Sequence, residues 1–154
     1  MSKLTPHQEL ALTTSGHMAL TANAGSGKTF VLARKYLEAL TKNKFEISNV
    51  AAITFTEKAA SELYLKISIL IDEKINECSN QSERRLLEKI RRQLVSANIS
   101  TIHSFCISLL REYPVEVELD ARFIPIDEIL SEELIELSVE EMVRASIDDE
   151  LVSE

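Results

Sequence analysis

Short apolar runs and helical periodicity alternate along this chain. Residues 17–21, 50–55 and 97–101 are brief apolar or β-prone runs of the kind that form strands in a buried parallel sheet. The segments between them place apolar residues three or four positions apart, which is the spacing of one helix face. Strands that alternate with helices predict an α/β fold in which helices flank a parallel sheet.

Capping residues and helix breakers predict where the helices begin and end. Thr5 and Pro6 begin the first helix and Gly16 ends it, while Thr56 caps a long helix after the second strand. The later helices are predicted at residues 29–40, 57–75, 83–94, 102–111 and in an acidic segment after residue 128. The core candidates on two of them are Leu63, Ile67, Leu70, Ile71, Phe105, Leu109 and Leu110.

The composition is that of a soluble globular protein. The chain has 154 residues, of which 45% are hydrophobic and 27% charged, enough for one modest domain with a core. We find no apolar run of membrane-spanning length and no signal peptide, so we expect a cytoplasmic protein without a membrane partner. Cys78 and Cys106 lack metal-ligand spacing and are interpreted as idle thiols in a reducing cytosol.

The net charge of −8 is distributed unevenly. Residues 1–111 carry 15 lysines and arginines against 10 carboxylates, whereas residues 112–154 carry 2 against 15. The first part is therefore mildly basic, which is compatible with a phosphate-backbone partner without establishing one. The arginine-rich helix at 83–94 and the acidic end are both interpreted first as solvated surfaces.

A glycine-rich turn follows the first predicted strand and opens the next helix. The sequence Ala22-Asn23-Ala24-Gly25-Ser26-Gly27-Lys28-Thr29 is typical of a P-loop, whose backbone N–H groups surround a polyphosphate. Lys28 would reach the β- and γ-phosphates of ATP, and the Thr29 hydroxyl would hold Mg²⁺. Ala22 stands where the general pattern has a glycine, so an ordinary strand-to-helix turn with a surface lysine is the alternative.

Gln8, which lies upstream of this turn on the first predicted helix, has a side chain that suits the base of a nucleotide. The amide of Gln8 offers a donor and an acceptor together, which can read an adenine edge. The predicted nucleotide-binding residues are Gln8, Ala22, Asn23, Ala24, Gly25, Ser26, Gly27, Lys28, Thr29 and Phe30, with Lys28 and Thr29 as the catalytic pair.

Two further segments narrow the use to which a nucleotide would be put. Residues 53–63, ITFTEKAASEL, and 101–111, TIHSFCISLLR, resemble motifs Ia and Ib of UvrD/Rep-type superfamily 1 helicases. The Ala-x-Ala-Gly-Ser-Gly-Lys-Thr form of the loop is similar to that family's own, and Leu4-Thr5-Pro6-His7-Gln8 resembles its Q motif. Glu57 and residues 113–128 favour the AddA/RecB-like branch.

This resemblance implies a partial RecA-like P-loop NTPase domain that acts on DNA. It implies that ATP and Mg²⁺ are cofactors and that single-stranded DNA at duplex junctions is the partner. The residues it assigns to DNA contact are Thr54, Phe55, Thr56, Lys58, His103 and Ser104. For Phe55 a core position is an equal alternative, and for His103 a core or capping role.

Some groups that a helicase needs for hydrolysis are not found in these motifs, and this indicates how the chain is organised into domains. Hydrolysis needs an acidic pair after a later strand and an arginine finger. Neither Asp127-Glu128, which follows Pro125, nor Asp148-Asp149-Glu150, which follows a helical pattern, fits that pair. We therefore expect residues 1–112 to be the first part of a motor domain and residues 113–154 to begin a helical insertion.

These expectations concern a longer parent protein. It would be an ATP-dependent helicase or translocase in DNA repair or recombination, completed by its remaining C-terminal motor domains, whereas residues 1–154 alone would be inactive. Two alternatives stay open: a helicase subunit of an AddA/RecB-like helicase–nuclease with a nuclease partner or domain, and a non-catalytic nucleotide-switch module.

Overall fold

The computed structural model describes residues 4–23, 25–120 and 122–152, with side chains up to residue 146. Six α-helices and two strands occur in this part of the chain. The helices are α1 Pro6–Thr13, α2 Lys28–Thr41, α3 Glu57–Glu77, α4 Gln81–Gln93, α5 Ile102–Glu112 and α6 Glu128–Val152. The strands are β1 Ala51–Thr54 and β2 Asn98–Thr101. This arrangement confirms the predicted α/β class.

The two strands form a parallel sheet. Ala51 pairs with Asn98 at one end of the ladder and Thr54 pairs with Thr101 at the other. Because parallel strands run in the same direction, their carboxyl ends lie at one edge of the sheet. The helices α3 and α5, which follow these strands, therefore begin at that edge. This edge carries both segments that resemble DNA-contact motifs.

The core lies where α2, α3 and α4 pack against the sheet. Its buried members are Ala33, Tyr36, Leu37, Leu40, Ile47, Ala52, Leu63, Ile67, Leu70, Ile71, Leu87, Ile90 and Leu94. The four core candidates on α3 are thus confirmed. Those on α5 are wrong: Leu109 is 40% exposed, and Phe105 and Leu110 are only half-buried. A helical stripe identifies an apolar face but not whether another element covers it.

The strand predicted at residues 17–21 does not form. These residues are exposed, and the apolar side chains of Met18 and Leu20 remain 42% and 48% accessible. A strand is defined by its hydrogen-bonded neighbour, and the only ladder in the described residues joins β1 to β2. The apolar run is therefore present, but it forms no ladder with any of the described residues.

The predicted caps Thr5 and Thr56 are confirmed, whereas the helix predicted to begin at residue 83 begins at Gln81, after its cap Asn80. Thr5 and Gln8 form a capping box at the start of α1, and the Thr56 hydroxyl accepts a hydrogen bond from the Ala59 amide at the start of α3. The first helix ends at Thr13 rather than at Gly16, which has a positive φ of 79° two residues beyond the C-cap Thr14.

The chain divides into two compact units, Met1–Leu109 and Leu110–Glu154. In the second unit the Arg111 guanidinium lies 5.6 Å from the centre of the Phe123 ring. Asp127 caps α6, since its carboxylate accepts a hydrogen bond of 2.8 Å from the Leu130 amide. The apolar side chains of α6 between residues 129 and 143 are exposed.

Candidate nucleotide and DNA site

The predicted phosphate loop, residues 22–29, owes its shape to two glycines. Gly25 and Gly27 have φ values of 77° and 85°, a left-handed conformation that residues with a Cβ rarely adopt. Gly27 is the residue before α2, so the amides of the loop meet the positive end of that helix. An anion at this turn would face both. Ala24, one of the predicted loop residues, lies outside the described residues.

The Lys28 side chain is folded over the loop it follows. Its ammonium donates hydrogen bonds of 2.7 Å to the carbonyl oxygens of Ala22 and Asn23 and remains exposed. These neutral acceptors hold the cation beside the turn, where a phosphate oxygen would be a stronger, charged acceptor. The cation is thus placed for an exchange of partners.

Gln8 connects α1 to the phosphate loop. Its side-chain Oε1 accepts a hydrogen bond of 3.0 Å from the Thr5 amide, and its Nε2 donates one of 3.1 Å to the Ser26 carbonyl. A Cβ on Gly27 would lie 2.8 Å from that Nε2 atom, closer than real contacts allow. Gln8 therefore holds the loop from one side, a role that its predicted adenine contact did not include.

A cavity of about 700 Å³ lies between α1, the extended segment 18–23 and the loop, and Gln8 and Lys28 both line it. This volume is within the range of cofactor and small-ligand sites. Its walls combine seven apolar residues with eight polar ones, a mixture that suits a base and a sugar as well as phosphate oxygens. The residues and the space fit a nucleotide.

Thr29 faces a second, smaller cavity of about 300 Å³. Lys28, Thr54 and the carboxylate-bearing residue Glu62 line the same space. Thr29 thus lies beside the end of β1, and Glu62 is the acidic residue there that sequence reasoning did not single out. Phe30, by contrast, is half-buried against the core and carries the Arg34 guanidinium 4.5 Å from its ring centre.

The segment after β1 exposes an aromatic side chain at the sheet edge. Phe55 is 86% accessible, so the alternative core position is excluded. Thr54 is half-buried and its hydroxyl donates to the Thr56 carbonyl at 3.0 Å, which fixes the turn that presents the ring. Lys58, in the first turn of α3, is exposed.

The segment after β2 presents polar side chains at the same edge. His103 and Ser104, both exposed, lie in the first turn of α5. Exposure rules out a core role for His103. The hydroxyl of Thr101, a residue only 6% exposed, accepts a hydrogen bond of 3.2 Å from the Ser104 amide and so caps α5.

A carboxylate that sequence reasoning used only as a branch marker joins these two segments. Glu57 Oε1 accepts hydrogen bonds of 2.9 Å from the Thr101 hydroxyl and 3.1 Å from the Ser104 hydroxyl. The contact spans 44 and 47 positions of sequence. No local pattern indicates such a pairing, because it depends on the register of β1 against β2.

Other candidate chemistry does not assemble. No cluster of three metal-ligating side chains occurs among the described residues, and Cys78 and Cys106 are free thiols. Asp127 is a helix cap, in agreement with its exclusion as a hydrolytic residue, whereas the side chains of residues 148–150 lie outside the described part. No helix in the described part is long and apolar enough to span a membrane.

Comparison with known proteins places this arrangement in a family. The UvrD/REP helicase N-terminal domain family matches residues 4–154. An ATP-dependent helicase/nuclease subunit from Pediococcus pentosaceus is 37% identical over 145 residues, covering 94% of this chain and 11% of the relative. Its counterpart from Desulfitobacterium hafniense is 32% identical over 150 residues, covering 96% and 11%.

A third relative, an exonuclease/helicase subunit RexA from Lactococcus lactis, is 37% identical over 122 residues, covering 79% of this chain and 10% of the relative. The chain therefore spans about a tenth of the length of the curated relatives it matches. The resemblance inferred from the motifs is confirmed, and this chain belongs to the UvrD/REP helicase N-terminal domain family.

Proposed function

We propose that the chain is the ATP- and single-stranded-DNA-binding N-terminal segment of an ATP-dependent DNA helicase or translocase that acts in DNA repair or recombination. The observation that carries this proposal is that Lys28 and Thr29 line one cavity with Thr54, the last residue of β1. The proposed phosphate site and the segment proposed to contact single-stranded DNA then share one edge of the sheet. Nucleotide binding at the first can therefore alter DNA binding at the second through a few side chains.

The nucleotide would be held by both cavities. Loop amides from Gly25 to Thr29 bind the phosphates, Lys28 exchanges its two carbonyl partners for phosphate oxygens, and Gln8 turns its amide toward the base. The Thr29 hydroxyl is a ligand suited to Mg²⁺. ATP supplies the free energy of phosphoanhydride cleavage when bound.

The single strand would lie across the ends of β1 and β2. Exposed Phe55 offers a ring on which a base stacks, while hydroxyls and amides at the two helix starts suit phosphate oxygens. Thr54, Thr56, Lys58, His103 and Ser104 complete this surface, with Lys58 as its cation.

The parent protein would need groups that this chain lacks in its described part. An acidic pair that activates water and an arginine finger would come from the remaining motor domains, which makes residues 1–154 inactive alone. Residues 1–112 are then the first part of the motor domain, and the acidic residues 113–154 start a helical insertion. A cytoplasmic protein without a membrane partner fits this role.

A helicase–nuclease component is the second candidate, and the names of the relatives favour it: two are helicase/nuclease subunits and one is an exonuclease/helicase subunit. A nuclease domain or partner would then accompany the motor. A non-catalytic nucleotide switch is the third candidate. The phosphate loop agrees with it, but it gives the exposed Phe55 side chain no role.

Binding measurements on residues 1–154 separate these roles. We expect a fluorescent ATP analogue to bind with Mg²⁺ and Lys28→Ala to weaken it at least tenfold, while labelled oligothymidine binds the wild type and binds Phe55→Ala more weakly. Nucleotide binding without any strand binding would favour the switch. Mg²⁺-dependent ATP turnover by residues 1–154 that Lys28→Ala abolishes would contradict the predicted inactivity.

A further inference from the structure

We infer that Glu57 is a positioning residue that fixes the start of α5 against the start of α3, so that both strand-contact segments form one rigid surface. The inference rests on the proposed function for its consequence on DNA, but its structural part stands on the contacts themselves. Nothing in the family match or in the relatives' names assigns a role to this side chain.

The hydrogen-bond donors and acceptors around Glu57 show why a carboxylate suits this position. The Thr101 hydroxyl has one proton and two acceptors in reach, Glu57 Oε1 at 2.9 Å and Ser104 Oγ at 3.0 Å, and the charged carboxylate is the stronger acceptor. The Thr101 oxygen itself accepts from the Ser104 amide. The Ser104 hydroxyl donates its proton to the same carboxylate oxygen. One oxygen thus receives two charge-assisted hydrogen bonds, which are stronger than neutral ones.

Two helix starts meet at this carboxylate. Glu57 is the first residue of α3, and the atoms that it accepts from lie at the cap and first turn of α5. A negative charge there is favoured by the positive ends of both helices. Since Phe55 and Thr56 directly precede Glu57, and His103 directly precedes Ser104, the bond ties the two strand-contact segments together at their bases.

A carboxylate beside bound DNA would otherwise weaken binding through repulsion of phosphates. Glu57 is exposed, but the two hydroxyl donors at Oε1 offset part of its charge and so reduce that cost. Glu57 as a solvated surface charge predicts stronger DNA binding on its removal, whereas Glu57 as a positioning residue predicts weaker binding. The two interpretations therefore give opposite signs.

Three variants of residues 1–154 separate the effects. Glu57→Gln removes the charge but keeps an acceptor oxygen, Glu57→Ala removes both, and Glu73→Ala removes an exposed carboxylate from the same helix far from the edge. Both Glu57 variants lose the same interaction with the helix dipoles, so their difference isolates the acceptor. Hydrogen exchange at residues 102–106 without DNA, and affinity for labelled oligothymidine, are measured for each.

We expect Glu57→Ala to speed exchange at residues 102–106 at least fivefold and to weaken strand binding five- to tenfold. Glu73→Ala should stay within twofold of the wild type in exchange, whereas Glu57→Gln should lie between Glu57→Ala and the wild type, because its neutral oxygen keeps the contacts without the charge. Unchanged exchange in Glu57→Ala, or tighter strand binding by it, overturns the inference. If the wild type binds no strand at all, the proposed function fails, and the exchange measurement alone still supports or overturns the positioning role.

Discussion

At the scale of single residues, Gly27 links two features of the proposed phosphate site. Its φ of 85° shapes the turn, and its missing Cβ leaves room for Gln8 Nε2. We predict that Gly27→Ala weakens binding of the fluorescent ATP analogue roughly tenfold, because a Cβ strains the left-handed turn and displaces the Gln8 side chain from its contact with the loop. The left-handed conformation alone costs on the order of 1–2 kcal/mol in a residue with a Cβ.

Gly16 is the matched control for this change. It has a similar φ of 79°, but a Cβ there would meet nothing within 4 Å. Gly16→Ala should therefore lower the free energy of unfolding by a similar amount and leave nucleotide affinity within about threefold. Equal losses of affinity in the two variants would show that a general loss of stability, and not a change in the loop, lowers binding.

Tyr36 is a second residue whose environment makes a measurable prediction. Its side chain is buried in the core, and its hydroxyl has no hydrogen-bond partner among the described residues. Burial raises the pKa of Tyr36 from 10.0 to about 12, because the ionised form loses hydration. The unfolded chain thus releases this proton first, and the stability it contributes is present below pH 10 and lost between pH 10 and 12.

We predict that Tyr36→Phe is neutral or stabilising by up to about 1 kcal/mol at pH 7, since it removes an unpaired polar atom. The variant should also lose less stability than the wild type between pH 10 and 12. Urea unfolding at pH 7, 10 and 11.5 measures both effects. A loss above 2 kcal/mol at pH 7 would mean that the hydroxyl has a partner, such as a buried water.

At the scale of elements, Lys35 on α2 holds the end of α1. Its ammonium donates hydrogen bonds to the carbonyl oxygens of Ala11, Leu12 and Thr14, which the helix itself leaves unpaired. We predict that Lys35→Met destabilises the chain by about 2 kcal/mol and speeds hydrogen exchange in α1. Because α1 carries Gln8, nucleotide affinity should fall as well.

Lys42→Met, at the C-cap of α2, serves as the control, since Lys42 is exposed and its carboxylate partner among the described residues is Glu38, one turn away. Such surface pairs contribute less than about 1 kcal/mol. Exchange in α1 that rises equally in both variants would indicate a general loss of stability rather than a released helix end.

Local signals explain which elements the sequence predicted. Helix caps such as Thr5 and Thr56 are read from neighbouring residues, and the stripe on α3 from its own spacing, so both are correct. The strand at 17–21 and the core positions on α5 depend on a partner elsewhere, and those predictions are wrong. The same limit hid Glu57 and Lys35, whose partners lie at least 21 residues away.

At the scale of the whole molecule, the main cluster of positive charge is separate from the proposed DNA-binding surface. The chain has a net charge of −8, and its surplus of arginine lies on α4 rather than at the sheet edge. Two of those arginines are paired, Arg84 with Glu88 and Arg91 with Asp72, while Arg85 is exposed. Strand binding at the edge would therefore rely on hydroxyls, amides and stacking more than on cations.

This separation predicts a weak salt dependence. The logarithm of the affinity for oligothymidine should fall with the logarithm of salt concentration with a slope near −1, since each neutralised phosphate of a single strand contributes roughly −0.7. Lys58→Ala should make the slope shallower by about 0.7, whereas Arg85→Ala should leave it unchanged. Fluorescence anisotropy between 50 and about 300 mM salt measures the slopes.

The two alanine variants distinguish two paths for the strand. Both remove one exposed cation from the first unit, so their effects on net charge are the same, and only position differs. If the slope became shallower in Arg85→Ala and stayed unchanged in Lys58→Ala, the DNA phosphates would lie on α4 and away from Phe55. In that case the basic helix is the strand surface, and the exposed ring at the sheet edge needs another partner.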